Sequence, residues 1–505
     1  MGCQPAGAGL CFRAMYRKKQ TVEVGIIDLG EKNQCFGRLD DGMAIFVQGE
    51  AAVGDVVQAE IFKIKKKYLV ARFRKIVKPS PHRIDPVCPY FGLCGGCKWQ
   101  HMDYGEQLRL KRKQVQDALE HIGRFHDIEC EPCLPAPELF GYRNKMDFSF
   151  TDLRYLTPEE IHHQDTKDTK PVGLRDLSAA RVEKPIDFAL GFHAPGCFSK
   201  AIDIDHCDLS TDEMNVALNT VRSFCLRHRD ELPVYSTHTH TGELRNLVVR
   251  HGGHTGEFMV NLVTSTHQPE LMQALCKELT AALGDRLTTF VNNTTSAKNT
   301  VAFGETEYVL HGPGTITDRL GDYTYRISAN SFFQTNTVQA EALYFQILES
   351  ARLKPTDIVY DLFCGTGSIA LFASGHCRKV LGVEVVESSV NDARENARRH
   401  GVENCEFIRL DLKDIREIEP EMREFGHPDV VITDPPRAGM HPKAVRMLLE
   451  MAPPAIVYVS CNPASLARDG QMLCEEGTYR LVHCKPVDMF PQTNHVESIA
   501  RFERI

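Results

Sequence analysis

Residues 358–367 read IVYDLFCGTG, an apolar run closed by an acid and a glycine-rich turn. A continuous apolar run of this length suits a strand covered on both faces, as in a parallel sheet. Glycines at 365 and 367 let the backbone approach a ligand at the carboxyl edge of such a sheet. Six similar runs follow: KVLGVEVVE from 379, CEFIRLDL from 405, DVVITDPPR from 429, IVYVSCNP from 456, RLVHCKPV from 480 and SIARFERI from 498. Helical stretches separate them. The segment 331–505 is therefore expected to be a doubly wound α/β domain.

The turn lacks the third glycine of a dinucleotide fingerprint, which weakens that reading. The second run ends at Glu384, 17 residues past Gly367, where a carboxylate can hold two ribose hydroxyls. The third ends at Asp411. A glycine turn, a ribose acid and a later acid fit S-adenosylmethionine, whose sugar hydroxyls are free and which carries no phosphate. Another nucleotide is the alternative ligand.

Two prolines after Asp434, in DPPR, fix the backbone and make a rigid platform for that acid. Such segments also occur in enzymes that methylate base nitrogens, so the motif does not choose the atom. The cysteine in Ser460-Cys461-Asn462-Pro463 does choose. A cysteine inside a strand is usually a small core residue. Cys461 instead stands at the carboxyl end of a central strand, beside Asp434. Carbon 5 of uracil is a poor nucleophile until something adds to carbon 6, and a thiolate can add there. The carbon 5 proton must then leave to a base. Glu497, in NHVES, is the candidate. An antiparallel last strand inserted next to the fifth would bring its amino end beside Cys461. His495 is the weaker alternative.

At 505 residues the chain exceeds one core, and 42% hydrophobic with 25% charged residues is ordinary for a globular protein. No apolar run approaches the roughly 18 residues of a membrane span, and the first twenty residues lack the apolar core of a signal peptide. Gly2 fits a myristoylation site poorly, so a cytoplasmic location is expected. Eighteen cysteines in a chain this long do not make a disulfide scaffold. A net charge of −8 excludes indiscriminate coating of nucleic acid but leaves room for a local basic patch.

That patch is expected at 63–78, where half of sixteen residues are Lys or Arg and Tyr68 and Phe73 sit among them. Residues 16–78 read as short strands of a small OB-like barrel suited to RNA. A tail at 1–15 precedes it. A proline-rich linker from 79 leads into CPYFGLCGGC at 88–97, three cysteines that lack a fourth ligand. A basic helix is expected over Gln107–Ile122. Strands dominate 142–330, broken by a polar insertion at 156–186 whose His162 and His163 are assigned no metal. Residues 79–330 form the expected central α+β domain.

Taken together, these residues resemble the RNA uracil-5 methyltransferase family, above all its ribosomal members. The resemblance spans nearly the whole chain, through the barrel, the cysteine stretch, YRNK (142–145), SFFQTN (331–336), DLFCGTGS, DPPRAG, SCNP and HVES. It implies that Cys461 is the nucleophile and Glu497 the base. It places Gln334, Phe363, Gly365, Ser368, Glu384, Asp411 and Asp434 around S-adenosylmethionine or the uracil. Ser368 stands where some members carry Asn. The barrel, more typical of the ribosomal enzymes, favours a 23S rRNA uridine over a tRNA one.

The resemblance further implies a [4Fe–4S] cluster on Cys88, Cys94 and Cys97 with a remote fourth cysteine, Cys207. Spacing alone points instead to Cys130 and Cys133, as in a zinc ribbon. No membrane or obligate protein partner is expected. An RNA-binding protein with a vestigial methyltransferase domain is the reading of another class.

Overall fold

A computed structural model of the chain describes residues 16–30, 34–156, 185–197, 199–298, 302–412, 424–475 and 477–505. The tail at 1–15 and the polar tract at 157–184 lie outside the described residues. The structure divides into two compact units: the described residues up to 110 together with 492–494, and the remainder.

The first unit holds a closed five-stranded barrel: β1 (Thr21–Gly30), β2 (Gln34–Arg38), β3 (Ala44–Gln48), β4 (Val56–Ile64) and β5 (Tyr68–Lys78), in the order β1-β2-β3-β5-β4. Alternation decides which residues point inward: Ile45, Val47, Val57, Ala59, Ile61, Leu69 and Ala71 fill the interior. The intervening positions carry charge. Lys63, Lys65, Lys66, Lys67, Arg72, Arg74, Lys75 and Lys78 are all exposed, and the Arg72 guanidinium lies 5.0 Å from the Phe62 ring centroid. The barrel and its basic, aromatic-bearing surface match the expectation. Helix α1 (Tyr104–His121) starts three residues before the expected Gln107. The reason is a cap: Asp103 Oδ1 accepts the Glu106 amide at 2.8 Å, satisfying a first-turn donor.

In the second unit a seven-stranded sheet is built from β6 (Lys145–Thr151), β7 (Ala189–His193), β8 (Ala201–Asp203), β9 (Leu244–His251), β10 (Phe258–Thr264), β11 (Leu287–Thr294) and β12 (Thr306–His311). Their order is β12-β11-β10-β9-β6-β7-β8. Helices α2 (Asp212–Arg227) and α3 (Pro269–Leu283) belong to this part, and a hairpin of β13 (Thr315–Leu320) and β14 (Tyr323–Ser328) follows it.

The C-terminal sheet comprises β15 (Ile358–Leu362), β16 (Lys379–Glu384), β17 (Cys405–Arg409), β18 (Val430–Thr433), β19 (Ala455–Ser460), β20 (Tyr479–Val487) and β21 (Glu497–Arg504). The order is β17-β16-β15-β18-β19-β21-β20, parallel except where β21 runs antiparallel to both neighbours. The central strands β15, β18 and β19 bury both faces, which is why their runs read as continuously apolar. On one face Val359, Ile432, Val457 and Ile499 pack with α4 (Thr337–Ala351), α5 (Ser368–Ser374) and α6 (Glu387–Arg399). On the other, Tyr360, Val431, Tyr458 and Phe502 pack with α7 (Pro442–Met451) and α8 (Pro463–Cys474). This is the expected doubly wound fold. Among the described residues no helix is long and apolar enough to cross a membrane.

Candidate active site

The carboxyl ends of β15, β16, β18 and β19 are where a doubly wound sheet holds its ligand. After β15 the chain turns through positive φ at Phe363 (63°), Gly365 (55°) and Gly367 (80°). A Cβ at Gly367 would sit 2.9 Å from the Phe407 ring, whereas one at Gly365 would meet nothing within 4 Å. Gly367 is therefore required by packing, and Gly365 faces open space. Glu384, closing β16, is held by three amides: its Oε2 accepts from Gly365 at 3.1 Å, and its Oε1 from Val385 at 2.8 Å and Val386 at 2.9 Å. Asp411, two residues beyond β17, is half-buried. Ser368 opens α5.

Asp361, next to last in β15, is fully buried, and its carboxylate oxygens have only the Ala370 amide nearby, outside full hydrogen-bond geometry. Desolvation pushes its pKa well above the ordinary range; the charges of Asp434 and Glu384 add to the shift, and the Ala370 amide opposes it. Beside it, on α4, stands the buried Tyr344. Burial pushes the Tyr344 hydroxyl pKa up; Ser368 and Gln334 oppose the shift through hydrogen bonds, and the carboxylates of Asp434 and Asp361 reinforce it. Gln334 is fixed through its backbone: its carbonyl accepts from Asn144 Nδ2 at 2.7 Å, and the same amide group reaches Thr337 Oγ1 at 2.8 Å. The YRNK and SFFQTN segments thus meet here. Buried, unpaired carboxylate oxygens beside an amide-held Glu384 suit a ligand that carries both hydroxyls and positive charge.

Cys461 follows β19 directly. The β19–β21 register pairs Ser460 with Ser498, and one step further along the same antiparallel register Cys461 lies across from Glu497. Two local bonds hold the turn. Ser460 Oγ accepts the Asn462 amide at 3.1 Å, and Asn462 caps α8 through the Ala464 amide at 3.1 Å. Asn462 Nδ2 also donates to the Arg437 carbonyl at 2.9 Å, tying the DPPR loop to this turn. From behind, Asp469 accepts the Met440 amide and the Tyr458 hydroxyl, each at 2.7 Å.

The electrostatics of this corner are those of crowded acids. The Cys461 thiol is pushed up to about 11, first by burial, then by the charges of Glu497 and Asp434, while Arg437 pulls it down. Glu497 is raised well above the ordinary range by burial and by Asp434, again against Arg437. Asp434 rises to about 6 through desolvation. Arg437, Asp361 and Tyr344 were not picked out from sequence. DPPR contains Arg437, but only the turn after Pro436 shows which thiol it faces. His495, the alternative base, packs edge-on against Phe490, with ring centroids 6.4 Å apart.

Among the described residues no three or more His, Cys, Asp or Glu form a group that could hold a metal ion, Cys88, Cys94, Cys97 and Cys207 included. These four thiols are half-buried and are the right kind of donor for iron. Cys130 packs with Val115, Leu119, Cys484 and Val496 in an apolar cluster, and burial pushes the Cys133 thiol up to about 12.

Residues 254–505 match the family model of tRNA (uracil-5-)-methyltransferases, and residues 17–73 match the TRAM domain. An uncharacterized RNA methyltransferase of Chlorobaculum tepidum is 48% identical over 489 residues, 97% of each chain. One from Porphyromonas gingivalis is 38% identical over 482 residues, covering 95% of this chain and 99% of the relative. The crystal structure of the Pyrococcus abyssi tRNA (uracil-54, C5)-methyltransferase in complex with S-adenosyl-L-homocysteine is similar, with a TM-score of 0.69 and 29% identity. That match covers 95% of this chain and 100% of the other. With these relatives over nearly its full length, the chain belongs to the RNA uracil-5 methyltransferase family.

Proposed function

We propose that the protein methylates carbon 5 of an unpaired uridine in RNA, with S-adenosylmethionine as methyl donor. The observation that carries this reading is the register placing Glu497 across from Cys461, with Asp434 and Arg437 acting on both. In the proposed chemistry the Cys461 sulfur adds to carbon 6, and the electron pair moves toward carbon 5 and the carbonyl oxygen. Arg437 favours the thiolate. S-adenosylmethionine, which Glu384, Asp411, Gly365 and the pocket of Asp361, Ser368, Tyr344 and Gln334 would hold, would supply the methyl group that carbon 5 accepts and leave as S-adenosylhomocysteine. Glu497 then takes the carbon 5 proton, and the carbon–sulfur bond breaks to release Cys461. A carboxylate whose pKa is raised is a stronger base for that task once ionised.

Access to carbons 5 and 6 needs a splayed, unstacked base. Phe332, two residues before Gln334, is 75% exposed and offers a stacking face at the site. The basic barrel supports RNA attachment. For the RNA itself we propose 23S rRNA, resting on the barrel; the transfer RNA specificity in the name of the Pyrococcus relative favours tRNA as the second reading. Mapping 5-methyluridine in 23S rRNA and tRNA from cells with and without the gene tests both. Loss from rRNA alone supports the first, loss from tRNA alone the second, and loss from neither removes the activity.

The [4Fe–4S] cluster on Cys88, Cys94, Cys97 and Cys207 is proposed from the family resemblance. No step of the reaction passes through it. Protein purified anaerobically should contain iron, and Cys207→Ser should lose it; iron-free wild type would refute the cluster.

A further inference from the structure

Glu497 is preceded by a stretch, Asp488 to Gln492, in which every residue is held. Lys111 Nζ bonds the Asp488 carboxylate and the Phe490 carbonyl, the latter at 3.0 Å, and both members of the ion pair are fully buried. The Met489 carbonyl accepts from Asn336 Nδ2 and the Pro491 carbonyl from the Tyr142 hydroxyl, each at 3.0 Å. At Gln492 the hold is tightest. Its carbonyl accepts the amides of Lys98 at 2.9 Å and Trp99 at 3.0 Å. Its amide donates to Gln107 Oε1 at 3.1 Å, and its side-chain oxygen accepts from Gln107 Nε2 at 3.0 Å. Gln107 Nε2 also reaches the Trp99 and Met102 carbonyls at 3.1 and 3.0 Å.

Two features say that this is more than ordinary packing. Gln492 has φ of 68°, a left-handed conformation that a non-glycine residue keeps only when its surroundings impose it. Gln107 and Gln492 are 1% and 4% exposed, so each lost bond would leave a buried group unsatisfied. Gln107 and Lys111 lie one turn apart on α1 and so share a face of that helix. The helix therefore grips the chain at Asp488, Phe490 and Gln492, and Glu497 follows five residues later.

We propose that Gln107 is a positioning residue for proton removal: by fixing the Gln492 backbone it sets where Glu497 stands relative to carbon 5. This rests on the reading of Glu497 as the base. A displaced base would leave thiol addition and methyl transfer intact and slow only the elimination that follows.

The test uses full-length Gln107→Ala and Gln492→Ala with total RNA from cells lacking the gene, and Glu497→Gln as reference. First-turnover methyl incorporation should stay within about twofold of wild type, while release of the methylated RNA–protein adduct slows at least about tenfold, as misplacing a reacting group by an ångström can do. Trapping on 5-fluorouridine RNA, which carries no proton at carbon 5 to remove, should be unchanged in both variants. If Glu497→Gln accumulates methylated adduct but both Ala variants release it at the wild-type rate, the proposal is overturned. If incorporation and 5-fluorouridine trapping fall together with release, the residues serve only folding, and it is overturned equally. If Glu497→Gln accumulates no adduct, the assignment of the base fails first. Where one Ala variant does not fold, the other still tests the contact, since Gln107→Ala removes both bonds of the pair and Gln492→Ala the one between the two side chains.

Discussion

Alanine at Gly365 and at Gly367 separates two reasons for a glycine at a ligand-facing turn. Both have positive φ, 55° and 80°, so a Cβ costs each about 1–2 kcal/mol of backbone strain. At Gly367 the new methyl also meets the Phe407 ring at 2.9 Å and the Ala393 Cβ at 3.0 Å, in a packed interior. Overpacking of that kind adds about 1–3 kcal/mol, for a total of about 2–5 kcal/mol. At Gly365 nothing lies within 4 Å, so no further loss of stability is expected. Its methyl instead enters the space where the adenosyl ligand is proposed to approach the backbone. Denaturant unfolding should therefore rank Gly367→Ala below Gly365→Ala by about 1–3 kcal/mol. Calorimetric titration with S-adenosylhomocysteine should show Gly365→Ala weakened at least about tenfold, roughly 1.4 kcal/mol. Equal destabilisation of the two variants, or unchanged affinity in Gly365→Ala, would refute the assignment of one glycine to packing and the other to the ligand.

Cys461→Ala should abolish methylation while RNA retention on a filter stays near wild type; measurable turnover would rule out the thiol as nucleophile. Glu497→Gln should form a methylated adduct visible on a denaturing gel and release it slowly. Asp434→Asn should change the pH dependence of stability. Asp434 has a folded pKa of about 6 against an ordinary 3.8, so the folded state keeps a proton that the unfolded chain has lost between those values. Its favourable contribution is whole below the lower value and is lost as pH rises through the upper one, a change of about 3 kcal/mol at 1.36 kcal/mol per unit. The neutral amide escapes that loss, so Asp434→Asn should gain stability relative to wild type between pH 4 and pH 7. A constant difference across that range would show that desolvation does not set the shift.

Much of the site was legible because it depends on topology. Once IVYDLFCGTG and its companions are read as buried strands, the ligand edge of the sheet follows, and with it Gly365, Glu384, Asp411, Asp434 and Cys461. The approach of Glu497 to Cys461 was also foreseeable, since an antiparallel β21 beside β19 must bring its amino end there. What escaped depends on tertiary approach. Arg437 has the sequence context of a loop arginine, and its action on the thiol follows from the fold of a loop that Asn462 Nδ2 ties down at the Arg437 carbonyl. Tyr344 and Gln107 look like ordinary helix residues, and their partners lie 10 and 385 positions away, at Gln334 and Gln492. The start of α1 was legible in Asp103-x-x-Glu106, a cap signal passed over in favour of the apolar stripe.

The acid crowding at the site has a consequence for the order of events. Asp361, Asp434 and Glu497 are all desolvated, with Asp434 acting on the other two, and Arg437 is the cation that opposes Asp434 at both Glu497 and Cys461. Buried like charges raise one another's pKa, and a nearby cation reverses that shift. On the proposed reading the ligand brings a positive charge to this edge of the sheet, beside Asp361 and Asp434. Its arrival offsets the part of the Cys461 shift that the acids add to burial, and the thiolate fraction rises. The nucleophile is therefore weakest when no methyl donor is present and stronger once one is bound. That ordering limits the addition of Cys461 to a uracil that has no methyl group to receive.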